Sequence, residues 1–364
     1  MTLTEIDARY DVPLLLTIVS IVFRRQLNTL RSFSPADETT YLTFATRFSR
    51  RGAWASLPQL TQDFIDGKPE ATHPLRYGWY ALCALVCKIR HKKLSHRGLA
   101  WISTMSGALA SPIAYLLAQV YGLPALPAAL LVLVSPISMA MGRRALQDAS
   151  IGTLTALAFL AASTGHWWLL APVLVALLFV KEVSVLGWPG YAVVHLFASH
   201  GSVGGALLAL GLPLVLFGGV SWWLLKLDAS RTLGLYRRLT IDGDWYAMSF
   251  GRGPVHTYLI QFAILSPFVT AAVIRGWQLS GLAIGALVHV TIWSVLKFKN
   301  YRFFTGADII LRVLAATVLH GMWGWFFLAV CVAADVLMFR RVFLKREVYD
   351  PVVYNIAKAL DMVP

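Results

Sequence analysis

The sequence predicts an all-α polytopic membrane protein, and three observations carry that prediction. The chain of 364 residues is 57% hydrophobic and 14% charged, where an ordinary soluble domain carries about 25% charged residues. Apolar runs near membrane-spanning length recur along most of it. The short alternating segments that would build a membrane β-barrel are missing from the pattern.

The apolar segments fall near 12–23, 74–89, 98–120, 124–141, 149–164, 167–180, 183–199, 204–225, 257–274, 279–296, 305–319 and 321–339. The N-terminal stretch MTLTEIDARYD mixes acids with Arg9, and no small-residue cleavage site follows the first apolar core. A signal anchor fits that pattern better than a cleaved leader. Two polar stretches, 24–73 and 226–256, are long enough to fold outside the bilayer. The last stretch, 340–364, starts basic and reads as a tail with a short amphipathic helix. The segment at 74–89 is short for a span and ends in the basic run KIRHKKLSHR. As a crossing helix it would place Asp37 and Asp148 on opposite faces. As an interfacial helix it would leave them on one face. The charge rule for loops favours the first arrangement, but it is weak for a loop as long as 24–97.

The net charge is +14. The basic residues sit between apolar runs, so membrane lipid headgroups and lipid-linked phosphates are the expected partners, not nucleic acid. Three cysteines, Cys83, Cys87 and Cys331, make neither a disulfide framework nor a zinc site and read as small core residues.

The chemistry-bearing residues cluster near the ends of apolar runs. SPADETTY (34–41) reads as a helix start, with Ser34 or Asp37 as cap and acids in the first turn. THPLRYGWY (72–80) opens the next run with His73 and Arg76. MGRRALQDASIGTL (141–154) sets Arg143, Arg144 and Asp148 between two runs, and Pro136 lies upstream. LLFVKEVSVLGWPGY places Lys181 and Glu182 in an otherwise apolar stretch. A charge at a helix centre costs roughly 2.5–3.5 kcal/mol on insertion scales. Such a pair therefore marks a cavity, a partner or a turn between short helices. VLKFKNYRFFTGADIILRVL clusters Lys297, Lys299 and Arg302, which suits a phosphate or ordinary snorkelling. Asp308 and Arg312, four apart, read as a structural pair. Acids at such boundaries act as general bases or metal ligands. Cations there hold a phosphate and stabilise it as it leaves. Together they point to group transfer from a lipid-phosphate donor.

The order of these signals resembles the integral-membrane GT-C glycosyltransferases, nearest the branch of protein O-mannosyltransferases and lipid A aminoarabinose transferases. The matching elements are Asp37, Glu38 and Tyr41; then His73, Pro74 and Leu75; then Pro136 with Asp148; then Lys181. Gly253, Pro254 and Tyr258 follow, and Lys299, Tyr301 and Arg302 match loosely, in reversed order and with no proline after them. The resemblance implies one membrane-embedded domain over 1–364 with about eleven transmembrane helices. Residues 24–97 would form a first outer loop with interfacial helices, 226–256 a second outer loop, and 340–364 a short tail. Its active site would face the outer or lumenal side of a bacterial inner membrane or equivalent. Asp37, Glu38 and Asp148 would be catalytic. Lys181, Lys297, Lys299 and Arg302 would bind the donor phosphate. Tyr41, His73, Arg76, His256 and Tyr258 would line the substrate site. The implied partners are a polyprenyl-phosphate-sugar donor and a hydroxyl-bearing acceptor, with inversion at the sugar. A divalent cation, Mg or Mn, on Asp37 and Asp148 stays open. A transporter or flippase of a lipid-linked or anionic solute is the alternative, since it too needs intramembrane charges. A non-catalytic lipid-binding scaffold is a third reading.

Overall fold

The computed structural model describes residues 11–27, 37–49, 55, 57–66, 74–91, 93–226, 230, 252–296 and 299–363. The all-α expectation holds, since every element named among them is a helix. In order these are α1 (Asp11–Leu27), α2 (Asp37–Phe48), α3 (Leu57–Ile65), α4 (Tyr77–Ile89), α5 (His96–Val120), α6 (Ala125–Leu133) and α7 (Pro136–Met141). Then come α8 (Asp148–Ser163), α9 (Trp167–Val180), α10 (Trp188–Ala198), α11 (Val203–Leu225), α12 (Thr257–Leu265) and α13 (Pro267–Gly276). The chain ends with α14 (Gly281–Val295), α15 (Thr305–Ala315), α16 (Gly321–Met338) and α17 (Val353–Ala359).

Serines start several of these helices. The hydroxyls of Ser95, Ser135, Ser202 and Ser280 accept the N–H of Gly98, Ser138, Gly205 and Ala283, satisfying donors that a helix start leaves open. Pro136 and Pro267 stand in first turns, where no N–H is needed.

Length separates spans from packing pieces. By length and composition His96–Val120, Val203–Leu225 and Gly321–Lys345 suffice to cross a membrane, the last by running α16 into a π-helical segment. A fourth candidate is α12 with α13, bent by 115° at Ser266. Tyr77–Ile89, Asp148–Ser163, Trp167–Val180 and Gly281–Val295 are apolar but shorter. The figure of about eleven spans is thus not reached by full-length helices among the described residues. The apolar run at 124–141 breaks before Pro136, and the run at 183–199 begins with a 3-10 stretch, Glu182–Gly187.

Small residues let these short helices approach. A Cβ on Gly306 would come 2.5 Å from Thr155 Cγ2, and one on Gly152 would lie 2.7 Å from Thr305 Cγ2, so α8 and α15 interlock. The Gly281–Gly285 pair packs α14 within this chain. A Cβ on Gly281 would lie 2.9 Å from Phe197 Cβ, and one on Gly285 would sit 2.7 Å from the Gly190 carbonyl oxygen. Gly285→Leu is therefore expected to cost about 1–3 kcal/mol by overpacking, read as a lower melting temperature in detergent.

A buried ionic hub ties the late helices together. Arg312, fully buried, donates from Nε to Asp308 Oδ2 at 2.9 Å, and from its two terminal nitrogens to Asp335, the Leu131 carbonyl and Ser266 Oγ. Ser135 Oγ donates to Asp308 Oδ2 at 2.7 Å and Tyr301 Oη to Asp308 Oδ1 at 3.0 Å. The structural pairing expected for Asp308 and Arg312 is present, and Asp335 joins it. Cys83, Cys87 and Cys331 are buried free thiols, as small core residues would be.

At one end of the bundle α2, α4 and the start of α5 meet. Arg76, just before α4, reaches Glu182. At the other end of α4, a Cβ on Gly98 in the first turn of α5 would touch Cys87 Sγ at 3.3 Å. Thr39 in α2 lies 3.4 Å from His96 Nε2, where α5 begins.

Candidate functional site

The two adjacent acids that open α2 do different work. A helix turns about 100° per residue, so neighbours face different partners. Glu38, Tyr41, Ala45 and Phe48, at helical spacing, are buried. Tyr41 and Phe44 lie 5.9 and 5.4 Å from Tyr80 of α4, ring centre to ring centre. Glu38 is fully enclosed; its Oε1 accepts the Ala145 N–H at 2.6 Å, and Oε2 lies 3.6 Å from Arg144. It fastens α2 to the segment between α7 and α8. Asp37, with its side chain 28% exposed, accepts from Arg302 Nη2 at 2.6 Å. Of the two, Asp37 is the carboxylate a solute can reach.

The 142–147 segment is held from several directions. Arg24 of α1 donates to the Ser138 carbonyl at 2.7 Å and to Ser138 Oγ at 2.9 Å. Gly107 and Gly142 make room for it, since a Cβ on either would meet Arg24 Nη1 at 3.0 or 2.9 Å. Thr104 Oγ1 donates to the Gly142 carbonyl at 2.7 Å, and Ser103 Oγ donates to that of Leu146. These anchors deliver Asp148 to the start of α8.

Lys181 and Glu182 sit where α9 stops. The backbone at Lys181 is extended (φ −160°, ψ 114°), and a 3-10 stretch follows. This is a turn between short helices, one of the readings open in the sequence, and it brings both charges to buried partners. Lys181 Nζ lies 3.1 Å from Asp148 Oδ1 and 4.2 Å from the centre of the Phe303 ring. Burial pushes the Lys181 ammonium down to about 8, with Asp148 pulling it back up. Glu182 takes two bonds from Arg76, at 3.1 and 3.2 Å, and Arg76 also donates to Tyr41 Oη at 3.2 Å.

Arg302 joins the elements. It lies in the 3-10 turn Tyr301–Phe304 and is 3% exposed. Besides Asp37 it faces Asp350 Oδ1 at 3.6 Å. Its guanidinium stands 5.3 Å from the ring centre of Phe303 and 5.8 Å from that of Tyr349, over which Arg144 also lies at 4.9 Å. Burial lowers the Arg302 pKa, but Asp37 and Asp148 outweigh that and hold it above the usual arginine value. It stays charged.

Seven sequence candidates therefore come together: Asp37, Glu38, Tyr41, Arg76, Asp148, Lys181 and Arg302. Others do not. Lys299 Nζ donates to the carbonyls of Ser294 and Leu296, closing the end of α14, and stands over the Tyr258 ring. Tyr258 is fully buried and stacks on Phe304, with ring centres 5.0 Å apart. His256 is exposed at the start of α12. His73 and Lys297 lie outside the described residues, as does most of the 226–256 stretch. Sequence reading missed Asp350 and Tyr349, which sit in what reads as a basic tail, and the roles of Arg144 and Glu182 as partners of Glu38 and Arg76.

The donor set does not suit a dedicated divalent-cation site. Among the described residues no three His, Cys, Asp or Glu side chains gather to hold a metal. Asp37 and Asp148 each already face a buried cation, and hard cations ask for several oxygens at once.

No family model and no curated protein matches this chain. One solved structure does. The crystal structure of ArnT from Cupriavidus metallidurans bound to undecaprenyl phosphate superposes with a TM-score of 0.61 at 14% identity, covering 97% of this chain and 69% of that one. The chain has the GT-C fold. The motif order had implied that architecture, and the match now shows it over nearly the whole chain, as a membrane protein of helices.

Proposed function

We propose that this chain is a polyprenyl-phosphate-sugar-dependent glycosyltransferase. It would move a sugar to a hydroxyl acceptor, on a glycan, lipid or protein, at the outer or lumenal face of its membrane, with inversion. The single observation that carries the reading is the pairing of a partly exposed carboxylate, Asp37, with a buried guanidinium, Arg302, beside Lys181. The GT-C fold and the undecaprenyl phosphate bound to ArnT support the donor class.

The chemistry asks for one base and one anion hold. The acceptor oxygen attacks the anomeric carbon and passes its proton to Asp37. The bond from that carbon to the phosphate oxygen breaks, and its electron pair leaves with the polyprenyl phosphate. Arg302 and Lys181 hold that phosphate as its charge grows. A phosphate arriving at Arg302 competes with Asp37 for the guanidinium, so donor binding itself would release the base. Glu38 and the Arg76–Glu182 pair keep the walls in register. This placement has α4 lying at the outer surface, with Asp37 and Asp148 on one side of the membrane. The bend at Ser266 resembles the broken helices of transporter sites. Here, however, Arg312 fills it, which favours the transferase.

The test is binding of undecaprenyl phosphate to the purified protein. Wild type should bind, and Arg302→Met should bind at least about tenfold more weakly. No binding by folded wild type would overturn the donor class. A pH dependence follows from Lys181, which carries its charge below its lowered pKa and loses it above. Sugar transfer should fall above about pH 8. Lys181→Arg should shift that limb upward, because a guanidinium keeps its proton. An unshifted limb would remove Lys181 from the phosphate hold.

A further inference from the structure

A second group of basic residues, distinct from those described above, lies where α16 ends. The helix runs on through the π-helical segment Phe339–Lys345, a widened geometry common at functional sites. A cavity of about 830 Å³ opens there, lined by Leu337, Met338 and Leu344 together with four cations, Arg340, Arg341, Lys345 and Arg346, and one carboxylate, Asp361.

Asp361 shows what those cations can grip. Its Oδ2 accepts from Arg341 at 2.9 Å and its Oδ1 from Arg346 at 2.8 Å. One carboxylate thus spans two guanidiniums, and all three groups are at least half exposed. The backbone at Asp361 is left-handed, with φ +58°, just past the end of α17, a conformation aspartate tolerates. An exposed, singly charged carboxylate is a replaceable occupant. A phosphate brings more negative charge and more acceptor oxygens to the same fork.

The apolar part of the lining decides the carrier of that phosphate. Gly321–Lys345 is among the helices able to cross a membrane, and only 28% of its apolar window is buried. Leu337 and Met362 are both 62% exposed beside the cavity. Exposed apolar surface beside cations at the end of such a helix matches a lipid at the bilayer boundary.

We propose that this cavity binds a membrane lipid through an anionic phosphate headgroup, which takes the place of Asp361 between Arg341 and Arg346. The proposal does not rest on the glycosyltransferase reading. The test uses the full chain in detergent, with binding of short-chain phosphatidic acid measured by native mass spectrometry and phosphatidylcholine as control. Phosphatidic acid should bind the wild type in preference to phosphatidylcholine. The R341Q/R346Q pair should weaken it about tenfold. Asp361→Asn, which removes the competing charge, should strengthen it about threefold. Both variants should melt as wild type does, since the replaced groups are exposed. Millimolar inorganic phosphate should not displace the lipid, because it lacks the contact with the apolar lining. Equal binding of the two lipids, no loss in the double variant, weaker binding in Asp361→Asn, or full displacement by inorganic phosphate would each overturn the proposal.

Discussion

Asp37→Asn is expected to lower sugar transfer by a factor of about 10²–10⁴, the range for losing a positioned general base. Several features make this substitution clean. Asparagine starts a helix as well as aspartate does, so α2 should stay in place. Glu38, not Asp37, fastens α2 to the neighbouring segment. Arg302 keeps Asp350 as an anionic neighbour, so its buried charge is not left without a counter-ion. The loss should therefore fall on kcat. The KM for the donor should hold or drop, because removing the Asp37 charge leaves Arg302 freer to take the phosphate. The mirror substitution, Glu38→Gln, strips a buried carboxylate of the charge that faces Arg144. It should lower stability as well as rate. Kinetics of both variants against thermal melts separate a base from a strut.

The largest effect on stability is expected at Arg312. Arg312→Met leaves Asp308 and Asp335 buried without their cation, and strands Ser266 at the bend between α12 and α13. Breaking one side of a buried pair costs about 3–5 kcal/mol. The protein should melt at a markedly lower temperature or fail to accumulate. Activity should fall with it, since Tyr301 is bonded to Asp308 and directly precedes Arg302. Replacing Asp308, Arg312 and Asp335 together by apolar residues of similar volume should do less harm than Arg312→Met alone, because no buried charge is then stranded. Melting curves of the single and triple variants decide it. A triple variant as unstable as the single one would point to shape, not charge, as the hub's contribution.

The helical class was legible because apolar runs of bilayer length are hard to produce otherwise. The charge pattern marked Asp37, Asp148, Lys181 and Arg302 one by one, as charges near the ends of apolar runs that need partners. That they share one place was implied only by the resemblance, since the pattern alone left Asp37 and Asp148 on one face or on opposite faces. The number of spans was not. A proline or serine inside an apolar run changes mean hydropathy little, yet Ser135–Pro136 and Ser266–Pro267 break helices outright. Lys299 was misleading for a local reason. Its ammonium folds back onto carbonyls three and five residues earlier, and nothing in its sequence neighbourhood distinguishes that from a phosphate grip. Asp350 was invisible because its role is set by long-range contacts. Asn300 donates to Asp350 at 2.7 Å, while the Pro351 carbonyl accepts from Tyr301 N–H at 3.2 Å and from Gln261 at 3.1 Å. Those bonds bring the tail to the Arg302 turn.

Release of free polyprenyl phosphate tests the role of Asp37 in sugar transfer most directly. Purified wild type and Asp37→Asn would each be given a panel of polyprenyl-phosphate sugars with a crude membrane extract as acceptor. Wild type should release it with at least one donor, and Asp37→Asn little or none. Equal release by both would remove Asp37 from the chemistry. No release by folded wild type across a broad panel would contradict the transferase reading itself.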